Sequence, residues 1–190
     1  MEGMPVIKER NLHPQFYRRV KMLPGGEKIE ACIQCGTCSG SCPSSHTMDY
    51  TPRKLIAMIR AGMEEEVLKS KAIWMCASCY SCKARCPRGI AITDLMYTLK
   101  NIAMASGCGH KLAGPVFYGT FNRMVEKEGR INEGKFIVTF TLKTDPFKII
   151  GMAPLGMKML AKRRLPLKAT AIKNKEEFRK ILARIREAGI

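Results

Sequence analysis

Apolar residues recur at helical spacing in several separate windows of this chain. Thr51 and Pro52 open the clearest one, a capping hydroxyl followed by a proline suited to the first helical position. Leu55, Ile56 and Ile59 then share a face, and Gly62 marks the stop. Glu64, Glu65, Glu66, Val67 and Leu68 predict a short second helix, with its acids at the positive end of the dipole. Thr93 and Asp94 predict the start of a longer helix, with Leu95, Leu99, Ile102 and Ala103 inward and a stop near Gly107. Pro115 opens a further one, with Phe117, Phe121, Met124 and Val125 inward, ending near Gly129. Asn174 and Glu177 have the spacing of a capping box, followed by a stripe of Phe178, Ile181, Leu182 and Ile185. Two regions read differently. Residues 1–30, with Pro5, Pro14 and Pro24-Gly25-Gly26, suggest an extended or irregular arm. Residues 136–142 alternate weakly; with no partner strand in a helical chain, they read as helix or extended linker.

The strongest signal lies between these helices. Cys32, Cys35, Cys38 and Cys42 lead into Pro43, and Cys76, Cys79, Cys82 and Cys86 lead into Pro87 with the same spacing. This is the ligand run of two-cluster [4Fe–4S] ferredoxins. On a straight helix one copy would form a stripe about 15 Å long, which no single cubane can bind, so each segment must curl into a loop. Gly36 and Gly40 fit close backbone approach and positive φ in the first copy. The second copy has Ala77, Ser78, Tyr80, Ser81 and Lys83 there, so a slightly different loop environment is expected. In this ligand pattern the cysteine before proline binds the other cluster. The expected sets are therefore Cys32, Cys35, Cys38 and Cys86 for one cluster, and Cys76, Cys79, Cys82 and Cys42 for the second. Zinc would want separate Cys-x-x-Cys pairs closing a tetrahedron. A disulfide framework wants a secreted context, but no apolar signal segment opens the sequence and the cysteines number nine. A [3Fe–4S] site would show a missing ligand.

Charge narrows the choice of partners. The formal net charge is +17; two clusters with four thiolates each, at about −2 apiece, would leave it near +13, still strongly basic. The basic residues crowd the last third, among them Lys158, Lys162, Arg163, Arg164, Lys168, Lys173, Lys175, Arg179 and Arg184. Aromatics are not interleaved with them and no recognition motif appears, so the expectation is docking to acidic protein subunits rather than to nucleic acid. The longest apolar stretch, residues 147–160, is broken by Lys148, Pro154, Gly156 and Lys158, which argues against a membrane span. Reduced thiolates suit a cytoplasmic location. Cys108 reads as a small packing residue, and His13 and His46 lack companion ligands. Trp74 is expected to shield a cluster. The methionines, including Met152, Met157 and Met159, suit adaptable packing or soft interfaces. No adjacent Cys-Cys pair, Gly-x-Gly-x-x-Gly run or nucleophile-base pair stands out, so no catalytic residue is assigned.

Capped helices follow both motifs, so the fold class expected is mainly α. An α-helical ferredoxin domain at 28–107 would carry two [4Fe–4S] clusters, after an N-terminal arm at 1–27 and before a helical, basic extension at 108–190 for docking to other subunits. The duplicated ligand run, the spacer beginning Tyr50-Thr51-Pro52-Arg53, the continuation Cys86-Pro87-Arg88-Gly89-Ile90 and the tail segment Gly129-Arg130-Ile131-Asn132-Glu133 together resemble the C subunits of methanogen heterodisulfide reductases. That resemblance implies an electron relay in a soluble complex. Single electrons would pass from a flavin-containing subunit through both clusters to a cysteine-rich catalytic partner, which reduces the coenzyme M–coenzyme B heterodisulfide in methanogenesis. In the bifurcating assembly a hydrogenase or formate dehydrogenase would supply the electrons. Two alternatives stay open: the iron–sulfur subunit of a glycerol-3-phosphate or succinate dehydrogenase-like complex, and a freestanding ferredoxin. The former usually adds a [2Fe–2S] domain or a cysteine-rich module, and the latter is more often small and acidic.

Overall fold

The computed structural model describes residues 12–108, 113–162, 164 and 171–188. It is mainly α, with no strand among the described residues. The chain divides into two compact units, 1–110 and 111–190.

The first unit begins with a correction. The arm expected over residues 1–30 contains helix α1, Pro14–Lys21; residues 1–11 of that reading lie outside the described residues. Pro14 sits in its first turn, and Phe16 and Val20, four apart, are buried together and pack α1 against the later helix Pro52–Arg60. Pro14 and Pro24 instead punctuate a helix and a turn. The turn at Pro24-Gly25-Gly26 is clamped between α1 and a later helix. A Cβ on Gly25 would lie 2.1 Å from the Leu95 amide nitrogen, and one on Gly26 would lie 1.9 Å from the Val20 carbonyl oxygen. The Thr98 hydroxyl donates to the Pro24 carbonyl at 2.7 Å, closing the clamp.

Two single-turn helices, α2 (Thr37–Gly40) and α6 (Ser81–Ala84), lie within the two cysteine motifs. Between them run α3 (Pro52–Arg60), α4 (Glu64–Lys69) and α5 (Ala72–Met75). Helix α3 starts at Pro52 and buries Leu55, Ile56 and Ile59, as its apolar spacing predicts, but the Thr51 side chain at its N-cap makes no capping hydrogen bond. After the second motif comes α7, Ile92–Ala105, which buries Leu95, Leu99 and Ala103. Helices α4, α5 and α6 all pack on α7, and α2 meets both α3 and α6. The two motifs are thus brought together over one apolar core.

The second unit is a set of longer helices: α8 (Ala113–Glu128), α9 (Glu133–Thr144), α10 (Lys148–Ala161) and α11 (Lys175–Glu187). Helix α8 starts ahead of Pro115, and Phe117 and Phe121 are part-exposed rather than inward. They meet Phe136 of α9 edge-on, with centroids 4.9 and 6.4 Å apart. The ambiguous segment 136–142 is helical, because the Asn132 side chain accepts from the Lys135 amide at 2.9 Å and so caps α9. Asn174 and Glu177 do meet, but side chain to side chain at 3.2 Å, so they form no backbone capping box. The stripe on α11 is only partly covered, with Ile181 and Ile185 exposed. Glu128 fastens the unit: it accepts from Lys175 at 2.9 Å and lies 3.7 Å from Lys135.

Candidate metal centres

Each cysteine motif is a loop of repeated backbone geometry. Gln34 and Ser78, two residues after the first cysteine of each copy, have φ of 56° and 53°. Gly36 and Tyr80, two residues further on, have φ of 83° and 60° and cap the short helices α2 and α6. Left-handed residues alternating with ordinary ones turn successive amides inward, which makes a nest for anionic sulfur. The second loop keeps the shape of the first although it lacks glycine, because Tyr80 itself takes the left-handed conformation. The two loops therefore differ in their side chains rather than in backbone shape. Gly40 is also not strained: it ends α2 with nothing within 4 Å of where a Cβ would stand, and Ala84 fills the equivalent place in the second copy.

The curled loops gather the cysteines into two cavities. The first, open to solvent, offers about 330 Å³ of empty space with its mouth included and is lined by Cys32, Cys35, Cys38 and Cys86, with Arg53, Ile56, Arg88, Ile90 and Ile92 among its walls. The second, likewise open, offers about 370 Å³ with its mouth included and is lined by Cys76, Cys79, Cys82 and Cys42, with Met48, Pro52, Thr93 and Met96 nearby and Ile92 again. Each cavity therefore takes three cysteines from one motif and the proline-preceding cysteine from the other. The Ile92 side chain, 1% exposed, lines both.

The thiols within a motif sit in unlike surroundings, and both motifs share the pattern. Cys35 and Cys79 are exposed, and hydrogen bonds with Thr37 and Ser81 hold their thiols below the ordinary cysteine value. The Thr37 hydroxyl is 3.4 Å from Cys35 Sγ, and the Ser81 hydroxyl is 3.6 Å from Cys79 Sγ. Cys38 and Cys82 are pushed up chiefly by burial, which disfavours a bare thiolate. Such buried thiols become anionic when a metal takes the proton's place. Further donors reach the sulfurs. Gln34 Nε2 donates to Cys32 Sγ at 3.4 Å, the Ile90 amide to Cys86 Sγ at 3.4 Å, and the Thr93 hydroxyl lies 3.6 Å from Cys82 Sγ. Among the described residues no three His, Cys, Asp or Glu side chains converge closely enough to hold one metal ion. A zinc ion needs all its sulfurs within about 2.3 Å of one point. Four thiols spread around a larger cavity fit a polynuclear cluster instead.

Three supports of the site were missed in the sequence. Asp49 accepts from the amides of Lys71 at 2.8 Å and Ala72 at 2.9 Å, capping α5, the helix that delivers Cys76. Nothing local signals a cap acting across 22 positions. The Tyr97 hydroxyl donates to Ser78 at 2.8 Å, and the Arg60 guanidinium donates to the Cys32 carbonyl at 3.0 Å. Trp74 is buried in α5 but is not among the residues lining either cavity. Cys108 is half-buried outside both cavities, and His13 and His46 also lie outside them.

Residues 28–90 match the 4Fe-4S dicluster domain family. Together with the thiol-lined cavities, that match means the chain carries two [4Fe–4S] clusters. The chain is also similar to curated heterodisulfide reductase C subunits, among them the following three. It is 38% identical over 112 residues to the C subunit of the H(2):CoB-CoM heterodisulfide,ferredoxin reductase of Methanothermobacter thermautotrophicus, covering 57% of this chain and 60% of that one. It is 40% identical over 109 residues to the iron-sulfur C subunit of the CoB--CoM heterodisulfide reductase of Methanopyrus kandleri, covering 54% and 57%. The match to the corresponding C 2 subunit of Methanocaldococcus jannaschii is 41% over 111 residues, covering 55% and 59%. The aligned part thus spans a little under two thirds of the relatives' length. No helix among the described residues is long and apolar enough to cross a membrane.

Proposed function

We propose that this iron–sulfur electron-transfer chain is the relay subunit of a heterodisulfide reductase complex. Cys32, Cys35, Cys38 and Cys86 hold one cluster, and Cys76, Cys79, Cys82 and Cys42 hold the other. The observation that carries the ligand sets is the pair of cavities, each lined by three cysteines of one motif and the fourth of its neighbour. The role in the complex rests on the similarity to heterodisulfide reductase C subunits. When bound, each cluster supplies a one-electron couple. The chain's own residues fix the cluster positions, direct amides and hydroxyls at the sulfurs, and keep Ile92 as the wall between the sites.

Electrons arrive from a flavin-containing subunit, fed by a hydrogenase or formate dehydrogenase. They leave to a cysteine-rich catalytic partner that reduces the coenzyme M–coenzyme B heterodisulfide in methanogenesis. The setting is cytoplasmic. The basic helical unit from residue 111 on suits docking to acidic subunits, and no nucleic acid is involved. Disulfide reduction must hold thiolate products through two single-electron steps, and here every cysteine around the cavities is already engaged by a cluster. The chain is accordingly not itself catalytic.

The test is anaerobic reconstitution. The loaded chain contains about eight irons and eight sulfides, as two four-iron clusters require, and passes electrons without reducing the heterodisulfide. Turnover returns with the cysteine-rich partner. Cys42→Ser damages the cluster of the second motif first, and Cys86→Ser that of the first. Saturation at half that iron content, damage to each variant's own motif, or turnover by the isolated chain would overturn the proposal.

A further inference from the structure

The two halves correspond by a constant offset: Cys32 matches Cys76 and Cys42 matches Cys86, so each position has a counterpart 44 residues on. Compared in this way, the two cavities have similar backbones and unlike charges. Arg88 lines the first cavity, and its counterpart Ser44 lines the second. Arg53 lines the first; its counterpart is Tyr97, a neutral side chain bonded to Ser78 of the second cavity's wall. Arg60, fixed on the Cys32 carbonyl, corresponds to Met104. Arg88 is held in turn by donating from Nε to the Ala31 carbonyl at 3.2 Å. The first cavity thus has two guanidinium groups on its wall and a third beside it. The second has no arginine or lysine on its wall. The nearby Lys83 is matched by Asp94 at 2.8 Å, and Lys100 lies over the Tyr97 ring at 5.3 Å.

Reduction of a [4Fe–4S] cluster adds one negative charge, so adjacent positive charge favours the reduced form. Hydrogen bonds to sulfur act in the same direction. Gln34 and the Ile90 amide donate to sulfurs of the first cavity and the Thr37 hydroxyl lies beside Cys35, whereas in the second the Thr93 hydroxyl lies beside Cys82 and the Ser81 hydroxyl accepts from Cys79.

We infer that Arg53 and Arg88 set the direction of electron flow, from the centre held by Cys42, Cys76, Cys79 and Cys82 to the centre held by Cys32, Cys35, Cys38 and Cys86. This rests on the ligand sets proposed above. The internal step moves one electron: the second centre goes from its 1+ to its 2+ state as the first goes from 2+ to 1+, and no bond or proton is exchanged. A low-potential one-electron donor loads the second centre, and the acceptor draws from the first, beside the exposed Arg53 and Arg88.

Anaerobic redox titration of the loaded full chain, followed by electron paramagnetic resonance, tests this. Two midpoint potentials are expected. Both arginines are exposed and therefore screened, so Arg53→Gln with Arg88→Gln shifts the reduced-to-oxidised ratio of the higher-potential centre by roughly tenfold, about 59 mV for one electron. The lower midpoint stays in place and the gap narrows. Added salt narrows it in the unaltered chain. Ser44→Arg, which leaves both arginines intact, raises the lower midpoint. Iron content measured on every sample separates two failures. A full complement of iron with an unshifted or oppositely shifted higher midpoint overturns the directional inference, as does a lower midpoint that Ser44→Arg leaves unmoved. Half the iron in the unaltered chain removes the ligand sets beneath it.

Discussion

Asp49 offers a direct check on how the second motif is held. Its carboxylate takes the amides of Lys71 and Ala72 at the start of α5, and α5 leads straight into Cys76. Asp49→Ala removes a cap that typically contributes about 0.5–2 kcal/mol, and hydrogen bonds to a charged group run at about 1.5–3 kcal/mol. Asp49 is itself exposed, which lowers the figure, but Ala72 is buried and its amide gains no water in exchange. About 1.5 kcal/mol is a reasonable net loss, corresponding to roughly a tenfold rise in the open state of this segment. In the loaded chain under anaerobic conditions, iron release to a chelator should therefore quicken by about tenfold. The cluster of Cys76, Cys79 and Cys82 should go first. Asp49→Asn keeps an acceptor and should quicken release by only about threefold. Release from Asp49→Ala at the unaltered rate, or earlier loss of the other cluster, would refute the reasoning.

Three further outcomes follow from the packing. Phe16 is 1% exposed between α1 and α3, so Phe16→Ala should cost about 3–5 kcal/mol, read as an earlier denaturant midpoint in circular dichroism. Gly25→Ala drives a Cβ into the Leu95 backbone and should leave little folded protein, whereas Gly40→Ala meets open space and should keep normal stability and iron content. Glu128 is held below the usual carboxylate range by Lys175. A depressed folded value means its contribution is full above the unfolded value and disappears as pH falls through the folded one. Hydrogen-exchange protection of α11 should drop on acidification in that window, and Glu128→Gln should show the loss already at neutral pH.

What could be read from the chain alone depended on locality. Helices α3, α4 and α7 carry their own apolar residues and first-turn signals, so Pro52, the run of glutamates and Asp94 mark them, although no side-chain cap forms at any of the three. The cysteine spacing is likewise local, and the fold places Cys86 at the cavity of the first motif and Cys42 at that of the second. Helix α1 was hidden because its stability comes from Phe16 and Val20 docking on α3, not from propensity across prolines. Asp49 was hidden because a cap supplied from a distant loop leaves no local trace. Tyr80 was hidden because a left-handed tyrosine goes against residue preference and is imposed by its surroundings.

The exchange of cysteines between the two cavities also bears on how the chain is made. Synthesis runs from the N-terminus, and the first cavity lacks Cys86 until the second motif has emerged from the ribosome. The second cavity gains Cys76, Cys79 and Cys82 only in that same stretch of synthesis. On the proposed ligand sets, no nascent chain shorter than residue 82 contains all four cysteines of either cavity, and both sets are complete only at residue 86, so iron delivery to either must wait for the second motif. A stalled or clipped product ending between the motifs is left with unmatched thiols and no metal to fold around, which makes it a ready target for proteolysis.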